Sequence, residues 1–210
     1  MVEPIRDIDP DRVREHLAEV RVLAGPDTEV LVASKYVPVE EMGALAEAGI
    51  TLVGENRLDD LQAKQERWGS TFEWDFIGNL QSRKVRDLVP LVRLIHSVGS
   101  ESVLGRLGRH GAAETEVLFQ VNVAGEEGKG GFEPAAIGDL IAGSPVSVAG
   151  LSTMPPLTAD PESSRRHFAR LAELAAEHGL ERLSMGTSQD WRVALDEGAT
   201  TIRLGSSLLR

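Results

Sequence analysis

The residues best suited to chemistry in this sequence stand where apolar, strand-like runs end. Leu31-Val32-Ala33-Ser34-Lys35 is such a run, closing on a lysine beside the turn-forming Tyr36-Val37-Pro38. A lysine amine kept partly out of water can stay neutral enough to attack a carbonyl, whereas the plainer role is a surface cation at a strand end. What else converges on that strand end decides between them. Two late segments, Ser184-Met185-Gly186-Thr187-Ser188-Gln189-Asp190 and Arg203-Leu204-Gly205-Ser206-Ser207, each combine glycine with hydroxyls. Glycine lets backbone N–H groups approach an anion, and hydroxyls bond phosphate oxygens. Arg203 lies inside the last apolar run, where a guanidinium is costly unless it faces a ligand or a carboxylate. Glu55-Asn56, His96-Ser97 and Asn122 put further polar groups at strand ends, and Asp75 and Glu55 are expected to be solvated or paired with Lys84 or Arg57.

These positions need a frame that gathers strand ends. Strand-type runs fall at 30–35, 51–56, 74–78, 93–98, 116–123, 146–154, 182–186 and 201–205. Helical segments fall between them at 40–48, 58–68, 82–89, 101–109, 134–142, 162–178 and 189–197. Several helices end in glycine before the next strand, as at Gly49, Gly179 and Gly198. Asp9-Pro10 starts one further helix, which runs to Gly25-Pro26. Eight parallel βα units predict a single-domain α/β chain over 1–210: an extra N-terminal helix in 1–26, then a closed (β/α)8 TIM-type barrel in 29–207. An open flavodoxin-like or Rossmann sheet is the alternative, weakened by the lack of a G-x-G-x-x-G after the first strand. In a barrel the last strand closes against the first, so Lys35 and the two glycine–hydroxyl loops become neighbours.

Bulk properties remove several classes of function. The 210 residues are 41% hydrophobic and 26% charged, and the net charge of −11 argues against a nucleic-acid surface. No apolar stretch reaches membrane-spanning length, and the start has no signal-peptide core, so a cytoplasmic location is expected. Cysteine is absent and the five histidines have no metal-ligand spacing, which disfavours a metal site. Lys35 and Ser34 would face opposite sides of a strand, so a serine–lysine dyad is not expected, and the same alternation would turn Tyr36 away from Lys35. The glycine-rich segment 125–131 reads as a mobile lid.

An amine and an anion cradle on one site suit a small ring bearing an aldehyde and a phosphate: pyridoxal 5′-phosphate (PLP), held as a Schiff base on Lys35. Arg203 would then face the ring nitrogen and make the ring a poor electron sink. The same stretches carry a resemblance. Ala33-Ser34-Lys35, Val53-Gly54-Glu55-Asn56, Phe76-Ile77-Gly78-Asn79-Leu80-Gln81-Ser82-Arg83-Lys84, Ile95-His96-Ser97-Val98, Val121-Asn122-Val123, Leu183-Ser184-Met185-Gly186-Thr187-Ser188 and Ile202-Arg203-Leu204-Gly205 resemble the pyridoxal phosphate homeostasis proteins, single-domain relatives of the alanine racemase N-terminal barrel. The resemblance implies PLP on Lys35, phosphate contacts at Ser188, Gly205 and Ser206, and Arg203 at the pyridine nitrogen. The full expected set of cofactor-binding residues is Lys35, Asn56, Met185, Gly186, Ser188, Arg203, Gly205 and Ser206. Asn79 and Asp75 stand where many members have histidine, the 126–130 loop differs from the commoner form, and the tail Leu208-Leu209-Arg210 lacks the usual closing glycine.

The function so implied is a monomeric, non-catalytic PLP carrier or buffer, influencing amino-acid and keto-acid balance, with PLP-dependent apo-enzymes as recipients. A racemase-like amino-acid enzyme is the alternative, and it needs a second base across the ring. A Schiff-base aldolase on a phosphosugar would share the lysine and the phosphate site but would be colourless at rest.

Overall fold

The computed structural model describes residues 3–112 and 114–210; Met1 and Val2, the opening of the stretch read for a leader, and Ala113 lie outside the described residues. Helix α1 (Pro10–Ala24) begins where Asp9 accepts from the N–H groups of Asp11 and Arg12 at 3.0 and 3.3 Å. It ends at Gly25, whose φ of 76° suits glycine. Eight strands follow: β1 (Glu29–Ala33), β2 (Leu52–Glu55), β3 (Glu73–Phe76), β4 (Leu94–Val98), β5 (Glu116–Gln120), β6 (Ser147–Ser152), β7 (Arg182–Thr187) and β8 (Thr201–Leu204). Helices α2 (Met42–Glu47), α3 (Leu58–Trp68), α4 (Val85–Leu88), α5 (Glu101–His110), α6 (Ile137–Ala142), α7 (Arg165–Glu177) and α8 (Trp191–Asp196) connect them, and α9 (Ser206–Leu209) ends the chain.

All neighbours are parallel and the sheet closes, with Val32 paired to Val53 on one side and to Leu204 on the other. The (β/α)8 barrel with its extra N-terminal helix is therefore as expected. Most strands stop earlier than their apolar runs, although β4 ends with its run at Val98 and β7 continues one residue past its run, to Thr187. β1 ends at Ala33 because the Val37 N–H donates to the Ser34 carbonyl at 2.8 Å, making 34–37 a turn. Several helices open with a 3₁₀ turn, at Val39–Glu41, Ser82–Lys84, Pro134–Ala136 and Pro161–Ser164. Among the described residues no helix is long and apolar enough to cross a membrane.

Alternation along each strand sorts the side chains into two buried layers. Val32, Val53, Ile95, Val117, Leu151, Ile202 and Leu204 join the apolar layer shared with Phe168, Leu171 and Trp191 of the helices. Leu31, Leu94 and Leu118 are fully buried but stand outside that layer, in the barrel lumen. Gly54 leaves room for this, since a side chain there would lie 2.5 Å from Leu31 and 3.0 Å from Ile77. The lumen also contains Asp75, His96, Ser184 and Arg203, with partly exposed Glu29 at the start of β1, and these bond to one another or to Arg93. Burial of such groups is tolerated because each has a partner.

Candidate functional site

A cavity of about 410 Å³ opens at the carboxyl ends of the strands. Small-ligand sites span roughly 300–1,000 Å³, so one small ring with its substituents fits. The seam between β1 and β8 forms one wall. A side chain at Gly205 would reach Ala33 at an ordinary contact distance of 3.7 Å, which sets the β8 turn beside the end of β1. Of the expected residues, Lys35, Asn56, Ser188, Arg203, Gly205 and Ser206 all line this space. Met185 and Gly186 do not. Met185 is wholly buried in the layer beneath the helices, and Gly186 (φ 87°) faces Ala194 and Trp191 of α8.

Lys35 is exposed on the turn after β1, and its amine lies 4.9 Å from the centroid of the Tyr36 ring, which lines the same cavity. The expectation that Tyr36 turns away is corrected here: strand alternation ends with β1 at Ala33, and consecutive residues of a turn can share a side. Ser34 points away from the cavity toward Glu55, bonding its Oε1 at 2.8 Å. Glu55 and Asp75 are not paired as expected either. Glu55 binds the buried ammonium of Lys64, while Asp75 binds Arg93 and His96. Lys84 and Arg57 instead reach Asp59 and Asp60 near the surface.

The two glycine–hydroxyl loops meet. The Gly205 N–H donates to Ser188 Oγ at 3.3 Å, drawing the β7 and β8 turns together. Buried Asp190 shapes the first of them, accepting from the Thr187 N–H at 2.8 Å, from Thr187 Oγ1 at 3.1 Å and from Ser164 Oγ at 3.0 Å. A hydroxyl three residues before an acid is a local turn signal that could have marked this role.

Arg203 reaches the cavity from inside β8 without a carboxylate within ion-pair distance among the described residues. It donates to the carbonyls of Ser184 and Thr153 at 2.9 and 2.7 Å and to Ser184 Oγ at 2.7 Å. Burial lowers its pKa to about 10, with the charge of Asp190 acting the other way, so it stays cationic at neutral pH. Lys129, on the loop that Asn122 pins through two bonds to the Glu126 backbone (2.9 and 3.1 Å), also lines the cavity. With Lys129 paired to Glu126, Lys35 and Arg203 face a space whose one lining carboxylate is Asp190, itself hydrogen-bonded by Thr187 and Ser164. In a chain of net charge −11, that local excess fits an anionic ligand.

Asn56 gives an independent sign of a ligand. Its Oδ1 is buried with no hydrogen-bond partner among the described residues, although the residue lines the cavity. Such an acceptor is costly unless something supplies a donor. An amine, a paired cradle of backbone and hydroxyl donors, a buried cation and an orphaned amide fit a phosphorylated pyridine aldehyde. Sequence reasoning missed Tyr36, because it extended β1 through Lys35, and missed Lys129, Met154 and Leu157 as wall residues, because only folding brings their loops to the mouth. No group of three His, Asp or Glu residues that could hold a metal occurs among the described residues.

This barrel and site define a class: the family model described as alanine racemase, N-terminal domain, matches residues 8–209. Among solved structures, PipY of Synechococcus elongatus PCC7942, with PLP bound, superposes with a TM-score of 0.82 at 30% identity, covering 94% of this chain and 100% of that one. The pyridoxal phosphate homeostasis protein of Aquifex aeolicus is 38% identical over 194 residues, 86% of this chain and 85% of that protein. That of Pseudomonas aeruginosa is 33% identical over 210 residues, 94% of this chain and 91% of that protein. The chain belongs to the pyridoxal phosphate homeostasis protein family.

Proposed function

We propose that this chain binds PLP in the β1–β8 cavity and takes part in intracellular PLP homeostasis as a non-catalytic carrier or buffer, so influencing amino-acid and keto-acid balance. The observation that carries this reading is the placing of Lys35 on the same cavity as the tied Ser188–Gly205 turns. Lys35 holds the aldehyde carbon, while Ser188, Gly205 and Ser206 hold the phosphate. Arg203 and Asn56, on the same cavity, would hold the ring. When bound, PLP supplies an aldehyde that bonds amines reversibly and a ring that can draw electrons. The hydrogen-bonded guanidinium of Arg203 would weaken that draw, since a fixed cation disfavours a proton on a nitrogen placed beside it. Met185 and Gly186 act from behind the wall, shaping the β7 turn. Holding the cofactor in the cytoplasm as a monomer, and passing it to PLP-dependent apo-enzymes, completes the role.

The test is spectroscopic. The purified protein is expected to be yellow or to take up PLP, and borohydride should fix the label to the peptide containing Lys35, with Lys35→Ala colourless. A protein that takes up no PLP would overturn the reading and would also remove a racemase. Because Tyr36 shares the cavity with Lys35, a racemase-like reading is tested separately: no interconversion of alanine enantiomers is expected, before or after Tyr36→Phe.

A further inference from the structure

The most extensive polar feature outside the cavity is the chain of groups crossing the barrel lumen. Arg93 bonds Glu29 at 2.5 and 3.0 Å and, with Nε and Nη2, both carboxylate oxygens of Asp75 at 3.0 and 2.8 Å. Asp75 Oδ2 lies 3.0 Å from His96 Nε2, and His96 Nδ1 lies 2.8 Å from Ser184 Oγ. Ser184 Oγ in turn accepts from Arg203 Nη1 at 2.7 Å. We propose that Ser184, His96 and Asp75 are positioning residues for Arg203, a hydrogen-bonded relay that fixes the guanidinium on the cavity wall; this rests on the reading of that cavity as a PLP site.

Counting protons leaves one consistent arrangement. An ionised carboxylate only accepts, so the proton shared with Asp75 belongs to His96 Nε2. A neutral imidazole then has a bare Nδ1, which accepts a hydrogen bond from the Ser184 hydroxyl. That frees the Ser184 oxygen to accept from Arg203. Of the hydrogen-bonding oxygens around Arg203, the carbonyls of Ser184 and Thr153 are fixed acceptors, and only Ser184 Oγ has a role that depends on its neighbour. A doubly protonated His96 would aim a second N–H at that oxygen and leave the hydroxyl proton without this acceptor. Burial holds His96 below its ordinary pKa, against the pull of Asp75 and with the charges of Arg203 and Arg93. None of Asp75, His96 and Ser184 lines the cavity, so each acts on a ligand through Arg203.

Nitrogen-15 NMR of the ligand-free protein and PLP titration together test this. His96 is expected as the neutral Nε2–H form, and the Arg203 side-chain N–H signals should exchange with water at least about tenfold faster in Ser184→Ala, at unchanged circular dichroism. PLP should bind Ser184→Ala about tenfold more weakly, with a shifted visible maximum. Tenfold equals about 1.4 kcal/mol, near the worth of one hydrogen bond to a charged group. Asp75→Asn should move both readouts the same way, and it serves if Ser184→Ala does not fold. Unchanged Arg203 exchange and PLP affinity in a folded variant would overturn the relay while the cofactor reading stands. Failure of the wild type to take up PLP would overturn the cofactor reading, and with it the claim that the relay serves that cofactor.

Discussion

The ammonium of Lys64 donates to the carbonyl oxygen of Ser34 at 2.7 Å, one peptide short of Lys35. The same ammonium pairs with Glu55, which also takes the Ser34 hydroxyl, and all three side chains are buried. The backbone beneath Lys35 is thereby anchored to α3 while the Lys35 side chain stays free at the cavity. Removing one partner of a buried pair strands the other charge, at about 3–5 kcal/mol. Lys64→Met is therefore expected to lower the urea unfolding free energy by about that amount, and adding Glu55→Gln should recover part of it. A single variant as stable as the parent would show that the pair is solvated.

Arg203 and Asn79 should separate cleanly. Arg203 is buried on the cavity wall, whereas Asn79 is exposed and away from it. Arg203→Gln is expected to weaken PLP binding by about ten- to a hundredfold, the cost of losing a charged hydrogen-bonding group. Asn79→Ala should bind like the parent. Absorbance titration ranks the two, and the opposite order would misplace the ring.

The proposed phosphate cradle can be tested with two ligands. Ser188→Ala removes a hydroxyl at the joined β7 and β8 turns, so PLP affinity is expected to fall by about tenfold, as for one charged hydrogen bond. Affinity for pyridoxal, which lacks the phosphate, should stay within twofold or so. Equal losses for both ligands would place the phosphate elsewhere.

Acid should destabilise the fold in two stages. Burial, with the charges of Arg203 and Arg93, depresses His96 below its ordinary 6.5 although Asp75 opposes this. The unfolded chain then binds a proton that the folded one refuses, so stability is present above about pH 6.5 and declines as pH falls below it. Burial raises Asp75, but the hydrogen bonds of His96 and Arg93 outweigh it and the net shift is downward. Glu29 is lowered chiefly by its hydrogen bond to Arg93. Those two contributions hold above about pH 4.5 and fade beneath it. Urea midpoints of His96→Gln should lose most of the slope between about pH 6.5 and 5, where only half-exposed His167 shares the direction, and keep the lower stage.

The order of elements was legible because its signals are local. Asp9-Pro10 caps α1 whatever lies across from it, Leu58–Trp68 carries its own helical spacing, and Gly49, Gly179 and Gly198 adopt the positive φ that ends a helix. The gathering of Lys35, Ser188, Arg203, Gly205 and Ser206 around one cavity was likewise readable, since each lies at or near the end of a strand and eight βα units place strand ends together. The reading failed where one residue of register matters. Extending β1 through Lys35 sent Tyr36 to the wrong side, because the Ser34–Val37 turn forms two residues sooner than the apolar run suggested.

By itself, then, the sequence determined a parallel barrel with Lys35 and two glycine–hydroxyl turns at one end, since hydrophobic period, caps and glycine turns act between neighbours in the chain. Only the tertiary structure decided which charges meet. Asp75 with His96 and Arg203 with Ser184 are joined across strands, Asp75 reaches Arg93 at the foot of β4, and Glu55 reaches Lys64 on α3; the stagger of the closed sheet and the packing of helices on it, which no local pattern specifies, choose those partners.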